Sequence, residues 1–247
     1  MVRIKKKFIF FKVSEIWFAN TFNIADKLWF TAWMNVKGNE QKWGCVKEKC
    51  YTVENDLSLP ITTVFSNFSK TVQVETKQAE KLDVNCFFYS DTKAFAAFYN
   101  EFATQRNIDL VSEQRLIEME GNLKLSCAVS HGQVVAVHSY LADKEQSTVR
   151  LMHAASARLN EKIDKQFAGK VNKLLHYNDM LHFKQNGFII YDFGGYTENT
   201  TDKGLLGINN FKLSFGGIRV VSYNYYSIIY FIIKKLALKL GFIAGQK

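Results

Sequence analysis

Residues 191–217 read YDFGGYTENTTDKGLLGINNFKLSFGG. The stretch begins as the end of an apolar strand, stops at Gly194-Gly195, crosses a polar loop, and resumes as a short helix over 204–215 that Gly216 and Gly217 close. Just upstream, GFIIYDF at 187–193 is a continuous apolar run of the kind buried on both faces of a sheet. It predicts a strand parallel to the one before the preceding helix. That helix, over 167–186, puts Phe167, Val171, Leu174, Leu175 and Leu181 on one face and has Gly187 as its stop. Downstream, 218–226 supplies one more strand.

Further outward, Phe95, Phe98, Tyr99 and Phe102 recur at spacings of three and four and predict a helix over 92–106. A second helix over 112–120 has Ser112 as N-cap and Gly121 as stop. Three strands follow at 123–129, 134–141 and 148–155, the first two joined by a turn at Ser130, His131 and Gly132. NCFFY at 85–89 reads as a strand end, 64–82 as a helix, and the first third alternates short aromatic stretches such as VSEIWFAN with polar turns. The expected fold class is therefore α/β with a mixed sheet. Its parts are a shortened N-terminal α/β lobe at 1–84, a main domain at 85–226, and a basic amphipathic helix at 227–247.

The 247 residues are 47% hydrophobic, 15% aromatic and 22% charged, which excludes disordered, collagen-like and simple coiled-coil chains. No 20–50-residue period repeats, so solenoids and propellers are also excluded. The net charge of +9 is concentrated at the ends. Arg3, Lys5, Lys6, Lys7 and Lys12 occur with no acid in residues 1–14, and seven basic residues occur with no acid in 203–247. Two basic ends point to an anionic partner or to a solvated basic face. Cys45, Cys50, Cys86 and Cys127 form no CxxC pair and read as reduced thiols. The N-terminal apolar run is too short for a signal peptide, and the nine-residue run at 225–233 is too short to span a bilayer. The expected location is cytoplasmic.

Glycine pairs at a strand end let a backbone approach a ligand closely. Asp192, Glu198, Asp202 and Lys212 are charged groups placed to converge there. The bland alternative has Gly195 and Gly216 serving turns, Asp202 capping a helix, and Phe211 and Phe215 forming an i,i+4 core pair. His131, His138, His176 and His182 show no spacing that sets two of them with a carboxylate around a metal, so no metal is expected. The sequence contains no GxSxG, Walker loop or GxGxxG.

DFGG paired with a downstream FK..FGG, after a long helix ending in Gly187, resembles Fem-type peptidyltransferases and the related N-acyltransferases of surface-polysaccharide loci. The segment FSNFSKTVQVETKQAEKLDVNC resembles the region leading into their second lobe. The resemblance covers residues 62–222 and implies the GNAT fold, with an acyl donor entering where the strands at 148–155 and 188–193 splay apart. It implies direct attack of an amine on a thioester or ester carbonyl. Lys212 matches the FK lysine and would stabilise the oxyanion or a phosphate, while Asp192 of DFGG would orient the loop or act as base. His153, near the end of a donor-binding strand, is a further candidate for proton transfer. Gln166, Gly169 and Lys170 lie where the family holds the donor's pyrophosphate, with Val171 standing where the pattern has Gly or Ala. Gly194, Gly195, Glu198, Phe211, Gly216 and Gly217 are the implied substrate-binding set.

The expected function is transfer of an acyl group, from an acyl-CoA such as acetyl-CoA, to the amine of an amino sugar carried on a nucleotide or lipid. An aminoacyl-tRNA-dependent transferase and a non-catalytic module binding a polyanion are the alternatives. For the tail, SIIYFIIKKLALKLGFI suits a helix on an anionic membrane. Alternatively Ile228, Ile229, Ile232 and Leu236 cover the N-terminal lobe as core.

Overall fold

The computed structural model describes residues 1–8, 10–119, 121–161 and 163–240. Residues 241–247 of the expected tail, and Glu120 at the end of the helix expected from Ser112, lie outside the described residues. In chain order the elements are β1 (Val2–Phe8), β2 (Phe11–Trp17), α1 (Ile24–Lys27), β3 (Thr31–Val36), β4 (Cys45–Asp56), α2 (Ile61–Ser66) and α3 (Lys70–Ala79). There follow β5 (Asn85–Tyr89), α4 (Thr92–Arg106), α5 (Glu113–Ile117), β6 (Leu123–Ser130), β7 (Gln133–Asp143) and β8 (Thr148–Ser156). The chain continues with α6 (Lys165–Gln185), β9 (Ile190–Gly195), α7 (Lys203–Leu213), β10 (Ile218–Ser227) and α8 (Ile228–Lys239). The fold class is mixed α/β, as the sequence predicts.

Two compact units form, one from Met1–Tyr51 with the chain from Val220 onward, the other from Thr52–Arg219. Residues 52–84, which the sequence places with the N-terminal lobe, cluster with the larger unit. The helix expected over 64–82 is two helices, because the chain turns after Asn67 and Ser69 starts α3 as its N-cap, accepting from the Val72 N–H.

In the smaller unit β1 pairs antiparallel with β2, β2 parallel with β3, and β3 antiparallel with β10, which neighbours β4. One face buries Ile16, Trp33, Cys45 and Tyr225. The other buries Phe8, Val13, Ala32 and Tyr226 under Tyr230 and Ala237 of α8. The helix register turns those two residues inward, so Ile228, Ile229, Ile232 and Leu236 stay 45–52% exposed. They are not the core that one of the two sequence readings makes them.

In the larger unit the strand order is β4-β9-β8-β7-β6-β5. The expected meander is present, β5 to β8 all pairing antiparallel, and β9 joins β8 in parallel as GFIIYDF predicts. Alternate residues of β7 face opposite layers. His138 and Tyr140 bond to Asp179 of α6, while Ser139 bonds to His153, whose ring meets Phe95 and Tyr99 of α4. The core holds Tyr140, Phe183, Tyr191, Phe193 and Phe215, all at most 1% exposed. Each contributes ~2–3 kcal/mol by burial. Among the described residues no helix is long and apolar enough to cross a membrane.

Candidate active site

β8 and β9 pair over only three positions, Thr148 with Ile190, Val149 with Tyr191, and Arg150 with Asp192. β8 then runs on to Ser156 along β7, while β9 is held by β4, where Thr52 pairs with Gly195. Two parallel strands therefore part just beyond Arg150 and Asp192. The charged side chains at the parting point, Arg150 and Asp192, pair with one another.

Asp192 is fully buried. Its Oδ2 accepts from Arg150 Nη1 at 2.5 Å, and its Oδ1 accepts from the Gly194 N–H at 2.7 Å and from the Thr52 hydroxyl. Thr52 Oγ1 also lies 2.9 Å from the Gly194 carbonyl. Both carboxylate oxygens are thus engaged, and of the two roles implied for Asp192 the geometry is that of a loop organiser rather than a base. Gly194 has φ +81, and a Cβ there would stand 3.2 Å from the Leu151 carbonyl, so glycine is required at this crossing. Gly195 is exposed, and its carbonyl accepts a hydrogen bond from Lys212 Nζ. Burial, and then the positive charge of Arg150, push the Lys212 amine down to about 8 against a smaller upward pull from Asp192. Lys212 on α7, Arg150 on β8 and Asp192 on β9 form one electrostatic group. Thr52 and Arg150 carried no local signal in the sequence.

The remaining expected residues divide. Asn209 of α7, 3% exposed, clamps the 195–202 loop by accepting from the Thr197 N–H at 3.1 Å and donating to its carbonyl at 2.8 Å. Glu198 in that loop pairs with Arg219 at 2.7 Å. Asp202 caps α7, accepting from the Gly204 and Leu205 N–H groups. Phe211 packs on His176 and Phe215, so it belongs to the core edge. Gly216 and Gly217 serve packing. A Cβ at Gly216 would meet the Asn67 carbonyl at 2.5 Å, and one at Gly217 would meet Asn55 Oδ1 at 2.6 Å. Gly216 also borders a cavity of about 460 Å³ near Asn55, Asn67 and Ile190, at the opposite end of β9 from Gly195.

Gln166, Gly169 and Lys170 lie at the start of α6, with Gln166 exposed. The cap of that helix is Asp164, whose carboxylate accepts from the Phe167 N–H at 2.7 Å. An acid already occupies the helix start, which disfavours a second anion there. His153 bonds to Ser139 at 2.8 Å and packs on Phe95 and Tyr99. Burial lowers it to about 4, so it is neutral at pH 7, and no contact found for it reaches Lys212 or Asp192.

Chain spacing fails to foresee one cluster. His138, from β7, meets His176 and Asp179, from α6, with ligand-type atoms within 4.8 Å of one another. The expectation that no two histidines would meet a carboxylate is therefore corrected, since β7 and α6 are brought together only by the sheet-helix packing. The groups are bonded directly: His138 Nδ1 to Asp179 Oδ2 at 2.7 Å, Tyr140 OH to the same oxygen at 2.5 Å, Tyr140 to Tyr191 at 2.7 Å, and Tyr191 to His176 Nδ1 at 2.8 Å. These are hydrogen-bond separations in a buried core, and the rings of His138 and His176 stack at 4.0 Å.

No protein-family model matches the chain, and no curated protein matches it in sequence. Solved structures do. FemX superposes with a TM-score of 0.67 at 11% identity, over 95% of this chain and 85% of that one. The fold is GNAT-like. L-PGS from Bacillus licheniformis superposes with a TM-score of 0.56 at 11% identity, over 86% of this chain and 74% of that one. The C-terminal DUF2156 domain of a putative lysylphosphatidylglycerol synthetase from Agrobacterium fabrum gives 0.54 at 8% identity, over 85% and 72%. At these identities the GNAT-like likeness is one of backbone architecture, and the side chains have to be argued from this chain's own geometry.

Proposed function

We propose that this chain is an acyltransferase in which a substrate amine attacks an activated carbonyl held at the parting of β8 and β9. The observation that carries the reading is Lys212, a half-buried ammonium anchored on the Gly195 carbonyl beside that opening. The amine nitrogen forms a bond to the carbonyl carbon, and the carbonyl electron pair moves onto oxygen. The Lys212 ammonium donates to that oxyanion from a half-buried position, where such a bond is worth more than in bulk water. The oxyanion then collapses, the bond to the leaving thiolate or alkoxide breaks, and the amine's proton leaves with it or to solvent. Asp192, Arg150 and Thr52 fix the Gly194-Gly195 turn, and so fix Lys212.

The donor in this reading is a coenzyme A thioester, acetyl-CoA first, and the acceptor is the amine of an amino sugar carried on a nucleotide or lipid. One observation favours a second reading with an aminoacyl ester of tRNA as donor: Asp164 sits where the pyrophosphate of coenzyme A would dock. Thermal unfolding separates them. At about 100 times its dissociation constant a specific ligand adds ~2.7 kcal/mol, which for a chain of this size raises Tm by ~5–10 °C. A rise with acetyl-CoA and CoA supports the first donor. No rise, with retention of aminoacyl-tRNA on filters, supports the second. Failure of both refutes the acyltransferase reading in favour of a module that binds polyanions.

A further inference from the structure

The smaller unit carries an unusual exposed surface. On α8 and at its C-cap, Ile228, Ile229, Ile232, Leu236 and Leu240 are 45–68% exposed. At ~100° per residue they fall within an arc of about 120°, separate from the arc that presents Tyr230 and Ala237 to the core. Lys235, exposed, flanks that arc at one edge, and Lys239, also exposed, lies within it at the C-terminal turn. The helix is therefore apolar on two faces, one packed and one bare.

More exposed apolar side chains lie in the segment bonded to the helix N-cap. The Ser227 hydroxyl, at the N-cap, donates to the Trp29 carbonyl at 2.5 Å, which fixes the 28–30 turn beside α8. Trp29 is 62% exposed and Leu28 61%. Trp29 touches Phe30, Phe30 touches Phe11, and Phe10 next to it is 89% exposed. Lys5, Lys7 and Lys12 are exposed as well, but they alternate with Phe8 and Val13 and so project from the face of the β1–β2 pair opposite α8. No acid follows Asp202 in the chain, and Lys6 of β1 pairs with Glu15 at 3.4 Å.

We propose that this face docks on an anionic phospholipid bilayer, with the α8 stripe, Trp29 and Phe10 entering the interface and Lys235 and Lys239 meeting the headgroups. Trp, Phe and Ile interleaved with Lys is the chemistry of an interfacial anchor. Charge selects this occupant over a second copy of the chain. A twofold contact through the stripe would set Lys235 and Lys239 against their own images, whereas anionic headgroups neutralise them.

The test is co-sedimentation of the full chain with vesicles of phosphatidylcholine, alone and with phosphatidylglycerol added, at low and high salt. Binding is expected only with the anionic lipid, weakened by salt. It should fall about fivefold for each lysine removed in Lys235→Gln and Lys239→Gln. In Ile232→Ser/Leu236→Ser it should fall about tenfold or more, with the unfolding temperature held, since both side chains are already exposed. Equal binding to neutral vesicles, or wild-type binding by Ile232→Ser/Leu236→Ser, overturns the proposal. So does self-association in sedimentation velocity that the same double variant abolishes.

Discussion

Replacing Asp192 by Asn is the most informative single perturbation of the site. The side chain keeps its shape and one acceptor, so the Gly194 N–H and the Thr52 hydroxyl retain a partner. What changes is the side facing Arg150, where an amide N–H₂ now confronts guanidinium N–H groups. Asp192 is 0% exposed and Arg150 has a side-chain exposure of 16%, so little water is present to replace the lost carboxylate. Breaking a buried pair from one side costs ~3–5 kcal/mol, and the partial exposure of Arg150 places this one near 3. For a chain of this size that is a drop in Tm of roughly 6–12 °C. Arg150→Met should cost a similar amount, because it removes the guanidinium paired with the buried carboxylate. The double variant should be milder than the sum of the singles, with a coupling of about 1–3 kcal/mol. The assay is thermal unfolding followed by circular dichroism on all four proteins. Additive effects, or a drop below about 2 °C for Asp192→Asn, would refute the view that this ion pair organises the strand parting.

Three further outcomes are expected. Because Lys212 ionises near 8 and acts in its charged form, kcat/KM should be flat below that pH and fall with increasing pH above it; a rise through pH 8 would instead make Lys212 a base. Gly216→Ala should cost about 3 kcal/mol in denaturant unfolding, since φ is +75 and the new methyl meets the Asn67 carbonyl at 2.5 Å; a cost under about 1 kcal/mol would contradict that contact. His153, lowered from 6.5 to about 4, stays neutral in the folded chain while the unfolded chain takes up the proton, so its stabilising effect is complete above pH 6.5 and is lost as pH falls toward 4, by roughly 3 kcal/mol in all. Buried His176 acts in the same direction, so His153→Gln should reduce but not abolish the acid sensitivity seen in unfolding at pH 7 and pH 4.5.

Local periodicity is a good guide to elements whose partners are near in sequence. The aromatic spacing over 92–106 marks α4 to the residue, and the β6 to β8 meander and the parallel β9 follow from short connections and one apolar run. The glycine-rich stretch likewise leads to Asp192, Gly194 and Lys212, because strand end, loop and helix are contiguous. Thr52 is different: it reaches Asp192 across 140 residues, and nothing around it distinguishes it from any strand threonine. The smaller unit is less legible for the same reason. It is completed by β10 and α8 from the other end of the chain, and no local pattern in residues 1–51 points to those distant partners. The His138–Asp179 pair lies between a strand and a helix, where no sequence period connects the two, and amphipathicity alone does not tell which apolar face of α8 meets the core.

The most direct measurement is a single-turnover assay in which labelled acetyl-CoA and labelled aminoacyl-tRNA are offered separately, with an amino-sugar acceptor, to the wild-type chain and to Lys212→Met. Transfer of label to the amine from one donor is expected, with a loss of about 10²–10³-fold in Lys212→Met at an unchanged unfolding temperature. Transfer by Lys212→Met at the wild-type rate would contradict the placement of the reaction beside Gly195.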